Sequence, residues 1–220
     1  VPVGELAGLD RGERVVSLAR LEESAPPLTL ATAVGQVKRV APERAPNRDA
    51  WEVIALRDGD EVVGAAEAGD DDELVLLTDD AQLLRFPAAS VRPQGRAAAG
   101  MAGIRLAESA RVVCLGVVRG GAADDAVVVT VAGSAAVLPG TVPGTAKVTP
   151  FALYPAKGRA TGGVRAHRFL RGEDRLDLAW VGPAPARASG SGGQPVELPA
   201  PDPRRDGSGS PLDQPVVGIG

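Results

Sequence analysis

The chain has 220 residues, enough for one large or two small domains with a real core, and 44% of them are hydrophobic, which excludes a disordered polymer. Its net charge of −4 gives no overall attraction to a polyanion, and its single cysteine, Cys114, excludes an intrachain disulfide. Only 3% of residues are aromatic, while Gly (28) and Pro (19) are abundant, so the core must be built from Ala, Val and Leu on short strands joined by turns.

In chain order, the first segment with a clear pattern is "LDRGERVVSLA" (9–19), a polar turn running into a β-branched strand. The same pattern returns as "LRDGDEVVGAA" (56–66), "LAESARVVCLG" (106–116) and "LRGEDRLDLAW" (170–180), where Val15, Val62, Val112 and Leu176 each open a strand. A second pattern alternates with it: "LTLATAVGQVKRV" (28–40), "LVLLTDDAQLLRF" (74–86) and "VVVTVAGSAAVLP" (127–139). Thr32, Thr78 and Thr130 stand in register, each followed three residues later by Gly35, Ala81 or Gly133, which reads as strand, tight turn, strand. These segments again read as hairpins, so each unit is a hairpin, a connection bearing arginines and a second hairpin, as in a four-stranded propeller blade.

The connections carry a third pattern, "QGRAAAG" (94–100) and "KGRATGG" (157–163), in which Gly95 and Gly158, then Gly100 and Gly163, repeat at the same interval of 63 residues. The windows 36–48, 82–111 and 147–171 hold 15 of the 24 basic residues and only two acids, Glu43 and Glu108. The stretch 58–80 holds ten acids and no base. Such segregation predicts a basic rim of Lys38, Arg39, Arg44, Arg85, Arg92, Arg96, Lys147, Lys157, Arg159, Arg165 and Arg168, with Asp70, Asp71 and Asp72 turned away from it. Small residues in the loops suit close approach to a phosphate backbone, with Gly95, Gly100, Gly158 and Gly163 as the loop glycines. An acidic loop surface at 58–80 fits a second class of function, a propeller that binds a basic protein.

The remaining candidates are weaker. His167, the only histidine, sits among arginines and reads as their neighbour on a basic face. Cys114 reads as a core residue, Tyr154 as a strand end rather than a nucleophile, and Trp51 and Trp180 as seam anchors. No catalytic residue, metal site or cofactor site is expected, and no phosphate-binding Gly-Lys-Ser/Thr loop is present. Residues 183–194 read as a linker, and 195–220 as a tail that completes the first unit, of which 1–21 supply only the second half.

In the order strand–Thr-x-x-Gly–strand, Gly-Arg-x-x-x-Gly, then a polar turn, the chain resembles the C-terminal domain of type IIA topoisomerase A subunits, best in 74–106. The resemblance covers residues 1–182 and implies an all-β, propeller-like β-pinwheel of about four four-stranded blades, in a closed or open ring. It implies double-stranded DNA bound and bent on the rim. As partners it implies the remainder of a topoisomerase A subunit, together with its ATPase subunit; no membrane is implied, and the location is cytoplasmic, with the nucleoid. The gyrase form of this domain carries a Gln-Arg-Arg-Gly-Gly-Lys-Gly box. Here Gln94, Arg96 and Gly100 fit it, but Gly95 and Ala99 replace an arginine and the lysine. With fewer blades than gyrase, this tilts the resemblance toward the topoisomerase IV A subunit, with gyrase A the close alternative.

Overall fold

In the computed structural model, residues 5, 8–10, 12–43, 47, 50–138 and 140–220 are described. Among these described residues, fifteen strands form three four-stranded sheets and one of three strands, with 3-10 turns at Ala88–Ser90 and Phe151–Leu153.

The first sheet is built on the hairpin β1 (Leu28–Thr32) and β2 (Gln36–Val40), with β3 (Val62–Glu67) beside β1. The second uses β4 (Glu73–Thr78) and β5 (Gln82–Pro87), with β7 (Val112–Val118) beside β4. The third uses β8 (Ala126–Gly133) and β9 (Thr145–Pro150), with β11 (Arg175–Pro183) beside β8. The fourth strand of each sheet comes from further along the chain. β6 (Met101–Ala102), which follows the second hairpin, pairs with β2, and β10 (Val164–Arg165), which follows the third, pairs with β5. Likewise β14 (Ser210–Pro211) pairs with β9, and a last sheet joins β12 (Ala188–Ser189) to β13 (Pro195–Val196) and β15 (Gly218–Ile219). Neighbouring sheets therefore exchange strands, and the expected all-β pinwheel is present.

The cores lie between blades. Along β4, Leu74 and Leu76 face the first blade with Val37, Ile104 and Phe86, while Val75 and Leu77 face the third with Val128, Phe151 and Tyr154. All four β4 side chains are fully buried, each worth about 1.5–3 kcal/mol of apolar burial. A two-residue period with both faces apolar explains the unbroken "LVLL" run.

Thr32 and Thr78 close their hairpins as expected: their hydroxyls accept hydrogen bonds from Gln36 N (3.3 Å) and Gln82 N (2.9 Å), while Gly35 and Ala81 adopt positive φ. Val62 and Val112 pair with these two threonines across a β-bulge. Thr130 departs from the expectation. Leu176, the counterpart of Val62, pairs with Ala132, so Ala132 holds the position of Thr32, and β8 runs straight through to Gly133. The tight turn is replaced by a longer connection between Gly133 and Thr145, and the Gly144 carbonyl receives Leu212 N as Gly35 receives Gly103 N and Ala81 receives Ala166 N.

The ends are also corrected. Residues 183–194 contain β12, the middle strand of the last sheet, tied by Arg187 N to Gly220 O (2.8 Å) and Val217 N to Ser189 O (2.9 Å). The tail 195–220 pairs with β12 and β9, and among the described residues no strand pairing joins it to the N-terminal segment. Its short Pro- and Gly-flanked strands carry too little periodicity to reveal their partners in the sequence.

Candidate nucleic-acid interface

The structure divides the expected basic rim into two sets. Lys38, Arg39 and Lys147 are almost fully buried. Lys38 Nζ donates to the carbonyls of Val53 (2.8 Å), Arg96 (2.7 Å) and Ala98 (2.7 Å), and burial lowers its pKa. Lys147 Nζ donates to Ala166 O (3.0 Å) and Arg205 O. Burial brings its pKa down to about 8 against the opposing pull of Asp202 and Asp206. Arg39 donates to Ala88 O, Val91 O and Ala68 O and pairs with Asp70 at 2.7 Å. Arg85 holds the same position one blade on. It donates to Phe151 O, lies 4.4 Å from the Phe151 ring centroid, and pairs with Glu73 at 2.8 Å. These four cations are seam residues, because strand exchange gathers carbonyls at each blade junction, and a long cationic side chain donates to several of them at once. They are withdrawn from the rim. Arg44 lies outside the described residues.

Arg92, Arg165 and Arg168 are exposed, and Arg96, Lys157 and Arg159 half-buried. Arg96 lies 3.5 Å from Glu43, Lys157 Nζ donates to Gly162 O, and Arg159 Nη1 donates to Ala102 O. The two loops are equivalent by their bonds. Gln94 N donates to Arg39 O and Lys157 N to Arg85 O, and the loop carbonyls of Ala98 and Thr161 receive Ala55 N and Arg105 N. Gly100 and Gly163 sit against the middle strand, where a Cβ would meet Val37 O or Leu83 O at 2.8 Å. A Cβ at Gly95 or Gly158 would meet nothing within 4 Å.

A third copy of this loop escaped the sequence pattern. Asp202 N donates to Val148 O, Arg168 N donates to Gly207 O, and a Cβ at Gly209 would meet Ala146 O at 2.9 Å. "DPRRDGSG" (202–209) therefore occupies the place of "QGRAAAG" with one residue more. The signal was the spacing to the following strand, hidden by that insertion. Arg204 is exposed and held to Asp202 at 3.0 Å, and Arg205 is half-buried. Arg105 and Arg168 stand at equivalent exposed positions beside the second and third loops. Arg96, Arg159 and Arg204 thus stand at one repeated position of the three loops, counted from Gln94, Lys157 and Asp202, and Arg105 and Arg168 at another.

The acidic run is absorbed into the fold. Asp72 is buried and accepts from Gly69 N, Gly120 N and Arg119, which hold its carboxyl below the usual range against its burial. Asp70 is tied to Arg39, while Asp71 is exposed. Among the described residues no group of three or more acids, histidines or cysteines is placed to hold a metal ion. His167 is not on the basic face: it is buried, with Gly209 N donating to Nε2 (3.1 Å) and Nδ1 2.9 Å from Thr130 Oγ1. Since Nε2 accepts, the proton sits on Nδ1, and burial lowers the pKa to about 4. Tyr154 is buried at the second seam, its phenol pushed up to about 12, and cannot act as an exposed nucleophile.

A family model described as DNA gyrase C-terminal domain, beta-propeller, matches residues 72–118 and 144–176. The DNA gyrase A subunit of Escherichia coli (strain K12) is 36% identical over 167 residues, 74% of this chain and 18% of that protein. Its counterpart in Mycobacterium tuberculosis (strain CDC 1551 / Oshkosh) is 33% identical over 180 residues, 79% of this chain and 20% of that protein. The chain thus spans about a fifth of the length of these curated relatives. Among solved structures, the C-terminal domain of DNA topoisomerase IV superposes with a TM-score of 0.80 at 19% identity, over 99% of this chain and 69% of that one. A DNA gyrase A C-terminal domain gives 0.74 at 16% identity, over 99% and 73%. With three strand-exchanged blades and a repeated Gly-Arg loop behind these matches, the chain belongs to the family of C-terminal β-pinwheel domains of type IIA topoisomerase A subunits.

Proposed function

We propose that this chain is the accessory DNA-binding domain of a type II topoisomerase, holding duplex DNA along the rim of Arg96, Arg105, Arg159, Arg168 and Arg204. It would act with the rest of the topoisomerase polypeptide and with the ATPase subunit, near the nucleoid, and carry no cofactor of its own. The observation that supports this most is the geometric equivalence of the three loops, each offering an arginine beside small residues. Gly95 and Gly158 add to it: no contact inside the protein requires a glycine there, whereas a sugar–phosphate backbone approaching the loop does. Such binding is electrostatic and blind to sequence. The test is a salt titration on random duplex DNA. Arg96→Ala with Arg159→Ala should reduce the slope of log K against log salt by about 0.9 per lost contact. An unchanged slope would overturn the reading.

Bending a site of 20–30 base pairs costs on the order of 1–6 kcal/mol. Ala99 lacks the cation that the gyrase box supplies, and Asp202 engages Arg204. The rim would therefore bend DNA and guide it without fixing a wrap of one hand. The identity to gyrase A subunits favours a second reading, a wrapping domain. Ligating nicked circles with the domain bound decides between them: a strong positive linking-number shift means wrapping.

A further inference from the structure

The third loop differs from the other two at the atoms that would meet DNA. Ala98 and Thr161 stand four residues after Gln94 and Lys157, but Gly207 stands five after Asp202, so the extra residue lies between Asp202 and Gly207. Bonds beyond it fix the register. Gly207 N donates to Arg204 O as Ala98 N donates to Gly95 O, and Thr161 Oγ1 donates to Gly158 O. Lys147 Nζ donates to Arg205 O as Lys38 Nζ donates to Arg96 O. In both Arg159 and Arg205, Nε is buried without a partner. Counted from the turn, therefore, Arg205 is the counterpart of Arg96 and Arg159, and Arg204 takes the place of Gly95 and Gly158.

Arg204 thus stands where the other loops hold no side chain. It is 75% exposed, and a side chain at this place keeps a sugar–phosphate backbone from closing on the loop. What reaches outward instead is a planar guanidinium fork, which fits a phosphate with two parallel hydrogen bonds. In this structure a carboxylate holds the fork: Asp202 Oδ1 accepts from Arg204 Nε (3.1 Å) and Oδ2 from Nη2 (3.0 Å). The carboxylate is itself fixed in place. It accepts from Arg204 N (2.9 Å), Asp202 N donates to Val148 O (2.8 Å), and the Asp202 side chain is only 19% exposed. The bonds from Arg204 hold its carboxyl below the usual range, so it is charged at neutral pH. The first loop has the neutral Gln94 at this position and the second the cationic Lys157, so the position is anionic in the third loop alone.

We propose that Asp202 is a built-in competitor for the DNA phosphate at the third loop, so that Arg204 joins the contact only when a phosphate takes the fork from the carboxylate. This rests on the DNA reading and adds a control at one loop. An arginine released from a carboxylate leaves that carboxylate to recruit a cation from solution, which cancels the counterion that the phosphate gives up. The Arg204 contact therefore adds almost nothing to the salt dependence of binding. Exposed ion pairs are weak, so the carboxylate delays the contact without forbidding it.

The test compares the parent with Asp202→Asn, Arg204→Ala and the double variant on random duplex DNA over a range of salt. Asparagine keeps an acceptor for Arg204 N and loses the charge. Asp202→Asn should steepen the slope of log K against log salt by about 0.9, the value of one phosphate contact. Arg204→Ala should leave the slope of the parent unchanged, and in the double variant it should remove the whole gain. Asp206→Asn makes the same charge change in the same loop and bears on Lys147 as Asp202 does, so it serves as the control and should leave the slope of the parent. An equal rise in Asp206→Asn, or a rise that survives in the double variant, means a general effect of charge and overturns the proposal. The free protein gives a readout without DNA: by NMR the Arg204 Nε–H should exchange slowly with water in the parent and fast in Asp202→Asn, and fast exchange in both overturns the clamp. A parent that binds no duplex DNA takes away the DNA reading and this control with it. A parent that binds while Asp202→Asn leaves its slope unchanged removes the control alone.

Discussion

Lys38 and Arg96 lie within hydrogen-bonding reach of one another's chain and yet have opposite roles. Removing the Lys38 ammonium leaves carbonyls of two blades without a donor, a loss of about 1–3 kcal/mol. Lys38→Met should therefore lower the melting temperature while leaving the salt slope of DNA binding unchanged, and Arg96→Ala should do the reverse. His167 supplies a pH dependence. Its folded pKa of about 4 lies below the ordinary 6.5, so the unfolded chain takes up the proton first. Its stabilising effect is complete above pH 6.5 and is lost as pH falls toward 4, because a protonated Nε2 cannot accept from Gly209 N. The change amounts to about 3 kcal/mol. Urea denaturation at several pH values should show His167→Gln with a flatter decline over that window than the parent; equal slopes would exclude the residue as its source.

At the scale of the element, the Gly-Arg loops separate two kinds of glycine that look alike in sequence. Gly100→Ala places a methyl 2.8 Å from Val37 O at a φ of 90°, and Gly163→Ala meets Leu83 O. Each should destabilise by roughly 1–3 kcal/mol, measured by thermal melting, while Gly95→Ala should be near neutral in stability. The sequence already shows the hairpins of the first two blades, because a Thr that closes a four-residue turn and a β-branched strand after a polar turn leave fixed spacings. It misplaces the third blade by two residues because Thr130 lies where "VVVTV" imitates the pattern, while the real strand runs on to Gly133 and its partner begins only at Thr145. It reads Lys38, Arg39, Arg85 and Lys147 as rim because a linear pattern shows charge but not which carbonyls an exchanged strand leaves open. The third loop is hidden by one inserted residue and two acids.

For the whole molecule, the last sheet is a buttress. It covers Val131 and Ala146 with Ala188, Val196, Leu212 and Val216, and β14 closes the edge of β9. Deleting 195–220 removes β13, β14 and β15 together. The melting temperature should fall, and hydrogen exchange should accelerate in Thr145–Val148 far more than in β1 and β2, whose seam lies on the opposite side of the second blade. Uniform acceleration would mean that the blades unfold as one unit.

The strand exchange also sets an order in time. β2 waits for β6, and β6 emerges only after the second hairpin; β5 waits likewise for β10, and β9 for β14. During synthesis no blade can be finished until the hairpin of its successor has left the ribosome. The nascent chain always carries one sheet with an open edge, and that edge passes down the molecule as each new dipeptide strand arrives to close the one before.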